Sequence, residues 1–330
     1  MLHRLTRSRF IVLAFTLVVS ALLASCARAR PATKVILRLD WVPNTNHTGI
    51  YVAQAKGYYK AEGLEVEIVE PGEGGGSEQV VAAGGADFGI SFQEGVTQAR
   101  AQDVPIVSIA AIIQHNTSGF AAPKSKRITR PKDFEGKRYG AFGSPVEKAM
   151  LAQLMKCDGG DVEKVQFVDI GASDYFVATQ RDVDFSWIFY GWTGIEAQLR
   201  NEPLDIVMLS DWSQCVPDYY TPIIITSEKA IAEKPDLVKR FMAATAKGYK
   251  DAIANPKEAA DILLKAAPEN NPDLVRRSQE WLSPRYQADA ARWGEQKAEV
   301  WQRYADWMAD ANLLPKRIDG SKAFTNQFLP

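Results

Sequence analysis

The sequence predicts an α/β protein of two lobes, and three observations predict it. From Lys34 onward, segments with strand periodicity alternate with segments of helical periodicity; a second such set begins near Lys124; and from Ser227 the pattern turns helical. The chain has 330 residues, 46% of them hydrophobic, which suffices for two moderate cores.

The elements follow in order. "KVILRLD" (Lys34 to Asp40) reads as a strand, "TGIYVAQAKGYYKAEG" (Thr48 to Gly63) as a helix closed by a glycine, and "LEVEIVE" (Leu64 to Glu70) as a strand with clean alternation. That βαβ unit predicts a parallel sheet. The loop "PGEGGGS" leads to a short helix from Ser77, then strand "ADFGIS", a helix over Gln93 to Gln102, and "VPIVSIAAII" as a buried strand. The second set comprises strand "KRYGAF", a helix from Pro145 to Met155, and strands "VQFVDI" and "VDFSWIF". The last third carries helices with prolines in their first turns. In its closing segment Trp293, Trp301, Tyr304 and Trp307 fall at helical spacing and read as core.

The N-terminus stands apart. Arg4, Arg7 and Arg9 precede the apolar run Ile11 to Ala24, followed by small residues, the layout of a secretory signal. The run ends in "LASC", similar to a bacterial lipobox in which cleavage leaves Cys26 to carry lipid. The expected organisation is a signal over 1–25, a linker over 26–33, a first lobe over 34–118 and 223–330, and a second lobe over 119–222. The mature protein is expected to be a monomer held at the outer face of the cell membrane by its lipid.

Charge and ligand chemistry exclude several function classes. With 39 basic and 40 acidic residues and no basic block, nothing calls for nucleic acid or an anionic membrane surface. Beyond Cys26, Cys157 and Cys215 could pair or could be isolated buried hydrophobes, the latter being the commoner fate of two distant cysteines. Two histidines of the mature chain, His47 and His115, with no CxxC make no zinc site, and no spaced acidic loop suits calcium. No GxSxG, HExxH or Walker lysine is present, and no cofactor is called for. The loop "PGEGGGS" matches a dinucleotide fingerprint only loosely; its backbone N–H groups could hold a ligand oxygen, or it could be a plain turn.

Flat aromatic surface is abundant. "VDFSWIFYGWTG" places Phe185, Trp187, Phe189, Tyr190 and Trp192 at a strand end, where α/β folds hold their ligands. Alternation sends Phe185, Trp187 and Phe189 to one face, while Tyr190 and Trp192 fall in the following loop. Tyr219 and Tyr220 add rings in a second loop.

"LDWVPNTNHTGIYVAQAKGYYKAEGLEVEIVEP", "GGADFGISFQEGVTQARAQDVPIVSIAAI" and "FEGKRYGAFGSP" resemble, in order and spacing, the NMT1/THI5-like family of periplasmic-type binding proteins. The resemblance implies a two-lobed type II binding-protein fold with a ligand cleft between the lobes, and delivery of the ligand to an ABC permease and its ATPase. It implies a flat heteroaromatic vitamin as ligand, either a thiamine pyrimidine precursor or riboflavin; because this chain departs from the family's enzyme branch, no enzymatic activity is expected. It places a stacking ring at Trp41 and a helix-opening loop at Gly143, Ser144 and Pro145. The family's pyrimidine synthases resemble the stretch "ADFGISFQEGVTQA" but carry Lys and His where this chain has Ser91 and Gly95, and a cysteine cluster where it has only Cys215.

Trp41, Trp187 and Tyr190 are the expected stacking rings, and Asn44, His47, Glu94, Asn116 and Ser144 the expected hydrogen-bonding groups, with loop-fixing as the alternative role of Asn44 and His47. Glu94 could instead be a helix-start carboxylate favoured by the dipole. The aromatic density of "FSWIFYGW" favours riboflavin narrowly over a single pyrimidine ring. A sulfonate or nitrate binder would need Arg in the first-lobe loops, where almost none stands.

Overall fold

The computed structural model describes residues 32–72, 75–171 and 173–330. The signal segment, Cys26 and most of the linker lie outside the described residues.

The first sheet is entered through β1 (Thr33–Arg38). The helix expected over Thr48 to Gly63 is two helices, α1 (Thr48–Ala55) and α2 (Tyr58–Ala61). Gly57 between them sits at φ +72, left-handed backbone that ends a helical ladder and that a side chain would resist. Then follow β2 (Leu64–Val69), α3 (Ser77–Ala82), β3 (Phe88–Ser91), α4 (Gln93–Ala101) and β4 (Ile106–Ala111).

The second sheet is built from β5 (Ser118–Pro123), β6 (Arg138–Ala141), α5 (Pro145–Cys157), β7 (Gln166–Asp169), α6 (Tyr175–Arg181), β8 (Phe185–Phe189), α7 (Ile195–Arg200) and β9 (Leu204–Met208). The chain returns to the first sheet as β10 (Ile223–Ser227). The helices α8 (Glu228–Glu233), α9 (Pro235–Ala254), α10 (Pro256–Ala266), α11 (Pro272–Leu282) and α12 (Ala298–Asp310) complete it. The prolines at 145, 235, 256 and 272 stand at first-turn positions, where a missing N–H costs nothing.

The strand orders are β2-β1-β3-β10-β4 and β7-β6-β8-β5-β9. Both sheets are mixed, which corrects the expectation of parallel sheets. β10 runs antiparallel to β3 and β4, and β5 antiparallel to β8 and β9. The cause is connectivity. The crossing over 112–117 leaves the C-terminal end of β4 and enters β5, while that over 209–222 leaves β9 and enters β10. A strand entered from the edge at which its neighbours end must run opposite to them.

Register fixes where that edge lies. Ile223 at the start of β10 pairs with Ser91 at the end of β3 and with Ala111 at the end of β4. Ser118 at the start of β5 pairs with Phe189 at the end of β8. The two crossings therefore join the sheets edge to edge, and the C-terminal ends of β1, β3, β6 and β8 border the cleft between the lobes.

Each lobe has its own core. In the first, Phe88 stacks on Phe241 at 3.8 Å between ring centres and Tyr249 on Trp293 at 4.3 Å. In the second, Phe120, Phe134, Tyr139 and Phe185 interlock, with Phe134 stacked on Phe185 at 4.5 Å. α12, assigned from sequence to the first lobe, belongs to both. Its Trp301 packs with Val96, Tyr220 and Ile225, whereas Tyr304 and Met308 pack with Tyr219, Val216 and the second-lobe core. The reason is helical rise: residues three and seven positions beyond Trp301 lie about 4.5 and 10.5 Å further along the axis, on the other side of the junction.

Cys157 and Cys215 form a disulfide, with Cα atoms 6.0 Å apart, which replaces the reading of them as isolated hydrophobes. The bond ties the last residue of α5 to the second crossing. Among the described residues no helix is long and apolar enough to cross a membrane, and no group of three or more His, Cys, Asp or Glu side chains could hold a metal ion.

Candidate functional site

The loop after β1 is built by its own polar residues. Asn44 caps a short 3-10 turn over Thr45–His47: its Oδ1 accepts from Asn46 N at 2.9 Å and its Nδ2 donates to Val42 O at 3.0 Å. His47 is fully buried. Its Nδ1 accepts from Asn44 N at 3.2 Å, which puts the ring proton on Nε2, 2.8 Å from Asp40 Oδ1. With both nitrogens engaged and no surface, His47 braces the loop instead of meeting a ligand, the second of its two expected roles, and the Asn44 side chain is spent in the same way. The product of this bracing is a loop that presents Trp41, 53% exposed.

The ends of the other bordering strands repeat the theme. Phe92 directly follows β3, Phe142 directly follows β6, and Phe189 ends β8; each is exposed. Exposed large rings are costly in water, and here one stands at the end of each of β3, β6 and β8 and another, Trp41, in the loop three residues past β1. Sequence reasoning missed Phe92 and Phe142. Their signal was position, the first residue past a predicted strand.

The "FSWIFYGW" rings divide differently. Phe185 is buried core, and Trp187 is half-buried against Phe120 with its Nε1 enclosed and unpartnered. Tyr190 opens a π-helical turn over Tyr190–Gly194, packs on Trp281 of α11 at 5.0 Å, and accepts at its hydroxyl from Gln198 Nε2 at 2.8 Å. The same turn is fastened to the first lobe: Ser278 of α11 donates to Gly191 O and lies 2.6 Å, Oγ to Oγ, from Thr45.

At the second-lobe helix start, Gly143 (φ +94) and Ser144 are both exposed. Ser144 caps α5, but the buried Glu147 carboxylate accepts from Ser144 N at 2.8 Å, Phe142 N at 3.0 Å and the Tyr139 hydroxyl at 2.6 Å. The protein's own anion thus sits on the N–H groups that would greet an anionic ligand. On the first-lobe side, Arg38 holds the glycine-rich loop through Gly72 O and Gly75 O at 3.1 and 3.0 Å.

α4 starts against the second crossing. Gln93 N donates to Tyr220 O at 3.0 Å, and Gln93 Oε1 accepts from Tyr220 N at 2.9 Å. That lock sets Glu94 beside Tyr219 and Tyr304. The Glu94 carboxyl is pushed up to about 8, chiefly by burial, with its own backbone N–H opposing and the neighbouring Glu78 adding. Asn116 is buried; its Oδ1 accepts from Ser118 N and Oγ, both at 2.7 Å, while its Nδ2 has no partner. Ser91, where the synthase pattern has Lys, donates its hydroxyl to Glu78. At Gly95, where that pattern has His, an added Cβ would lie 2.5 Å from Glu78 Oε1.

His115 lies on the first crossing. Its Nδ1 is 2.6 Å from Asp218 on the second crossing and its Nε2 2.8 Å from Asp289, contacts that raise its pKa to about 9 against the opposing effect of burial, Asp218 contributing most.

Known proteins resemble this chain in sequence and in fold. The formylaminopyrimidine-binding protein of Halalkalibacterium halodurans is 28% identical over 306 residues, covering 88% of this chain and 89% of that protein. The riboflavin-binding protein RibY of Chloroflexus aurantiacus is 29% identical over 319 residues, covering 93% and 89%. Pyrimidine phosphate synthases are also among the relatives. The alkanesulfonate-binding protein SsuA of Xanthomonas axonopodis pv. citri, solved with MOPS, shares the fold with a TM-score of 0.67 at 14% identity, covering 90% of this chain and 99% of that one. The profile of the family described as NMT1/THI5 like matches residues 44–259, and the chain belongs to that family.

Proposed function

We propose that this protein is the extracytoplasmic substrate-binding component of an ABC importer, and that it captures a flat, uncharged nitrogen heterocycle of the thiamine-pyrimidine class for delivery to a permease and its ATPase. The observation that carries the reading is the set of four exposed rings, Trp41 and Phe92 from one lobe and Phe142 and Phe189 from the other, at strand ends bordering one cleft. A planar ligand between rings of the two lobes gains stacking and apolar burial on both faces. The preference for riboflavin rested on rings that pack elsewhere, Phe185 and Trp187 in the core and Tyr190 on Trp281. Riboflavin stays as the second reading because four exposed rings exceed what one pyrimidine needs.

Two features argue for a neutral ligand and against synthesis. Glu147 occupies the backbone donors that a sulfonate would use. Position 91 is a serine bonded to Glu78 and position 95 a glycine, so the Schiff-base lysine and its histidine have no counterpart. The disulfide supports an oxidising, extracytoplasmic setting. Cys26 is proposed as the lipid-bearing residue; labelled fatty acid should enter the wild type and be lost in Cys26→Ser, and equal labelling of both would reject the anchor.

Purified protein, titrated with 4-amino-5-hydroxymethyl-2-methylpyrimidine while tryptophan fluorescence is followed, and separately with riboflavin while flavin quenching is followed, should show saturable binding of one of the two at micromolar ligand. Saturation by neither, or by an alkanesulfonate alone, overturns the reading.

A further inference from the structure

We propose that the turn after β8 is a latch that holds the two lobes closed on a ligand: Trp192 of the second lobe seats among first-lobe helices, and Ser278 bridges the Trp41 loop to the backbone beside Phe189. The inference rests on the cleft ligand proposed above and names what keeps two of the ring-bearing loops at their spacing.

The π-helical turn Tyr190–Gly194 leaves β8 directly after the exposed Phe189. Its Trp192 packs outside its own lobe, with Tyr51 of α1, Ala260 and Leu263 of α10 and Val275 of α11. On α11, Val275, Ser278 and Leu282 recur at helical spacing, and that face meets the turn. A Cβ built at Gly191 would lie 3.1 Å from Leu282 Cγ, tighter than ordinary van der Waals contact, so the close approach favours glycine. Tyr190 covers one side, its ring centre 5.0 Å from that of Trp281.

A polar bridge runs beneath these rings. Ser278 Oγ gives its one proton to Gly191 O, so Thr45 Oγ1 is the donor in the 2.6 Å contact between the two hydroxyls. Thr45 belongs to the loop that presents Trp41, and Asn270, ahead of α11, donates to Pro43 O of the same loop at 2.9 Å. α11 is thus fastened to the Trp41 loop on one side and grips the residue two past Phe189 on the other.

The lobes are joined by two kinds of contact. Trp301 and Tyr304 of α12 are fully buried among apolar neighbours of both interiors, and such a seam parts only on unfolding. Trp192, Tyr190 and Trp281 are half-buried around a hydrogen-bonded centre, the build of an interface between domains that forms and parts. Opening the cleft lifts the turn from α11 while α12 and the crossings hold. The latch alone does not keep the empty cleft shut; a ligand that binds the closed form completes the closure and gains whatever stability the latch lends to that form.

The test uses the full mature chain with 4-amino-5-hydroxymethyl-2-methylpyrimidine and with riboflavin, taking whichever saturates the wild type. Affinity is read by isothermal titration and rates by stopped-flow fluorescence for wild type, Trp192→Ala, Trp192→Phe and Ser278→Ala, with melts of each free and saturated. Trp192→Ala should bind about 10- to 100-fold more weakly, as truncation of a central aromatic anchor does. Nearly all of that loss should be faster dissociation, with association within about threefold. Trp192→Phe should recover most of the affinity, and Ser278→Ala, which leaves Gly191 O without its donor, should bind about 5- to 10-fold more weakly. In the two alanine variants the rise in melting temperature on saturation should shrink accordingly. If Trp192→Ala does not fold, Ser278→Ala decides by the same measures.

A permanent seam would destabilise free and bound protein equally, so wild-type affinity and dissociation rate in the alanine variants overturn the latch while leaving the heteroaromatic reading intact. A loss confined to association does the same, because it puts Trp192 on the entry path instead. Binding of neither ligand by wild type overturns both.

Discussion

Trp41→Ala weakens ligand binding by about 10- to 100-fold, the equivalent of the roughly 1–3 kcal/mol that stacking of one aromatic ring on a heterocycle supplies. The ring is 53% exposed and belongs to no core, so its removal shifts stability by less than about 0.5 kcal/mol. The loop itself is held without it, by His47 between Asn44 and Asp40 and by the Asn44 cap. Trp41→Phe should recover most of the affinity, since a smaller ring still stacks. Isothermal titration with the better of the two ligands measures the effect; a loss under about twofold at unchanged melting temperature would remove Trp41 from the site.

The second large effect is on stability. Cys157→Ser opens a loop of 58 residues. Restoring that freedom to the unfolded chain costs about 4 kcal/mol on the chain-entropy estimate, and about 2–4 kcal/mol is typical of such bonds. A melting temperature lower by about 5–10 °C should follow, read by circular dichroism. Binding well below the melting temperature should stay within about threefold of wild type, because neither cysteine borders the strand ends that carry the exposed rings. Equal stability of oxidised wild type and the variant would show that the loop is already constrained by other contacts.

Much of the fold was legible. Strands β1, β2, β3, β4, β6, β7 and β8 announce themselves by alternation or by apolar runs bounded by turn residues, and the late helices by proline and periodicity. The strands that were missed, β5, β9 and β10, are those next to the two crossings. "SGFAAP" and "IIITS" are buried on both faces, so they lack the alternation that marks a half-exposed strand, and their antiparallel direction is a property of connectivity that no local window contains.

The site was legible in its location and less so in its membership. Strand ends were the right place to look, and Trp41 was found there. Alternation assigned Phe185, Trp187 and Phe189 to one face without revealing that the face turns from core to exposed along its length. The sequence left His47 open between ligand contact and loop-fixing, because a polar residue in a loop looks available, while its burial and its bonds to Asn44 N and to Asp40, seven residues away, show only in the fold. The cysteine pair joins a helix end to a crossing whose path the sequence does not display.

α12 sets how the two lobes share their fate. A helix that lends Trp301 to one interior and Tyr304 with Met308 to the other is a wall common to both. Melting either interior strips that wall from its neighbour, so heat should take the lobes apart together, in one transition. α12, together with the α11 contacts to the turn after β8, makes one cooperative body of two halves that the crossings alone would only tether.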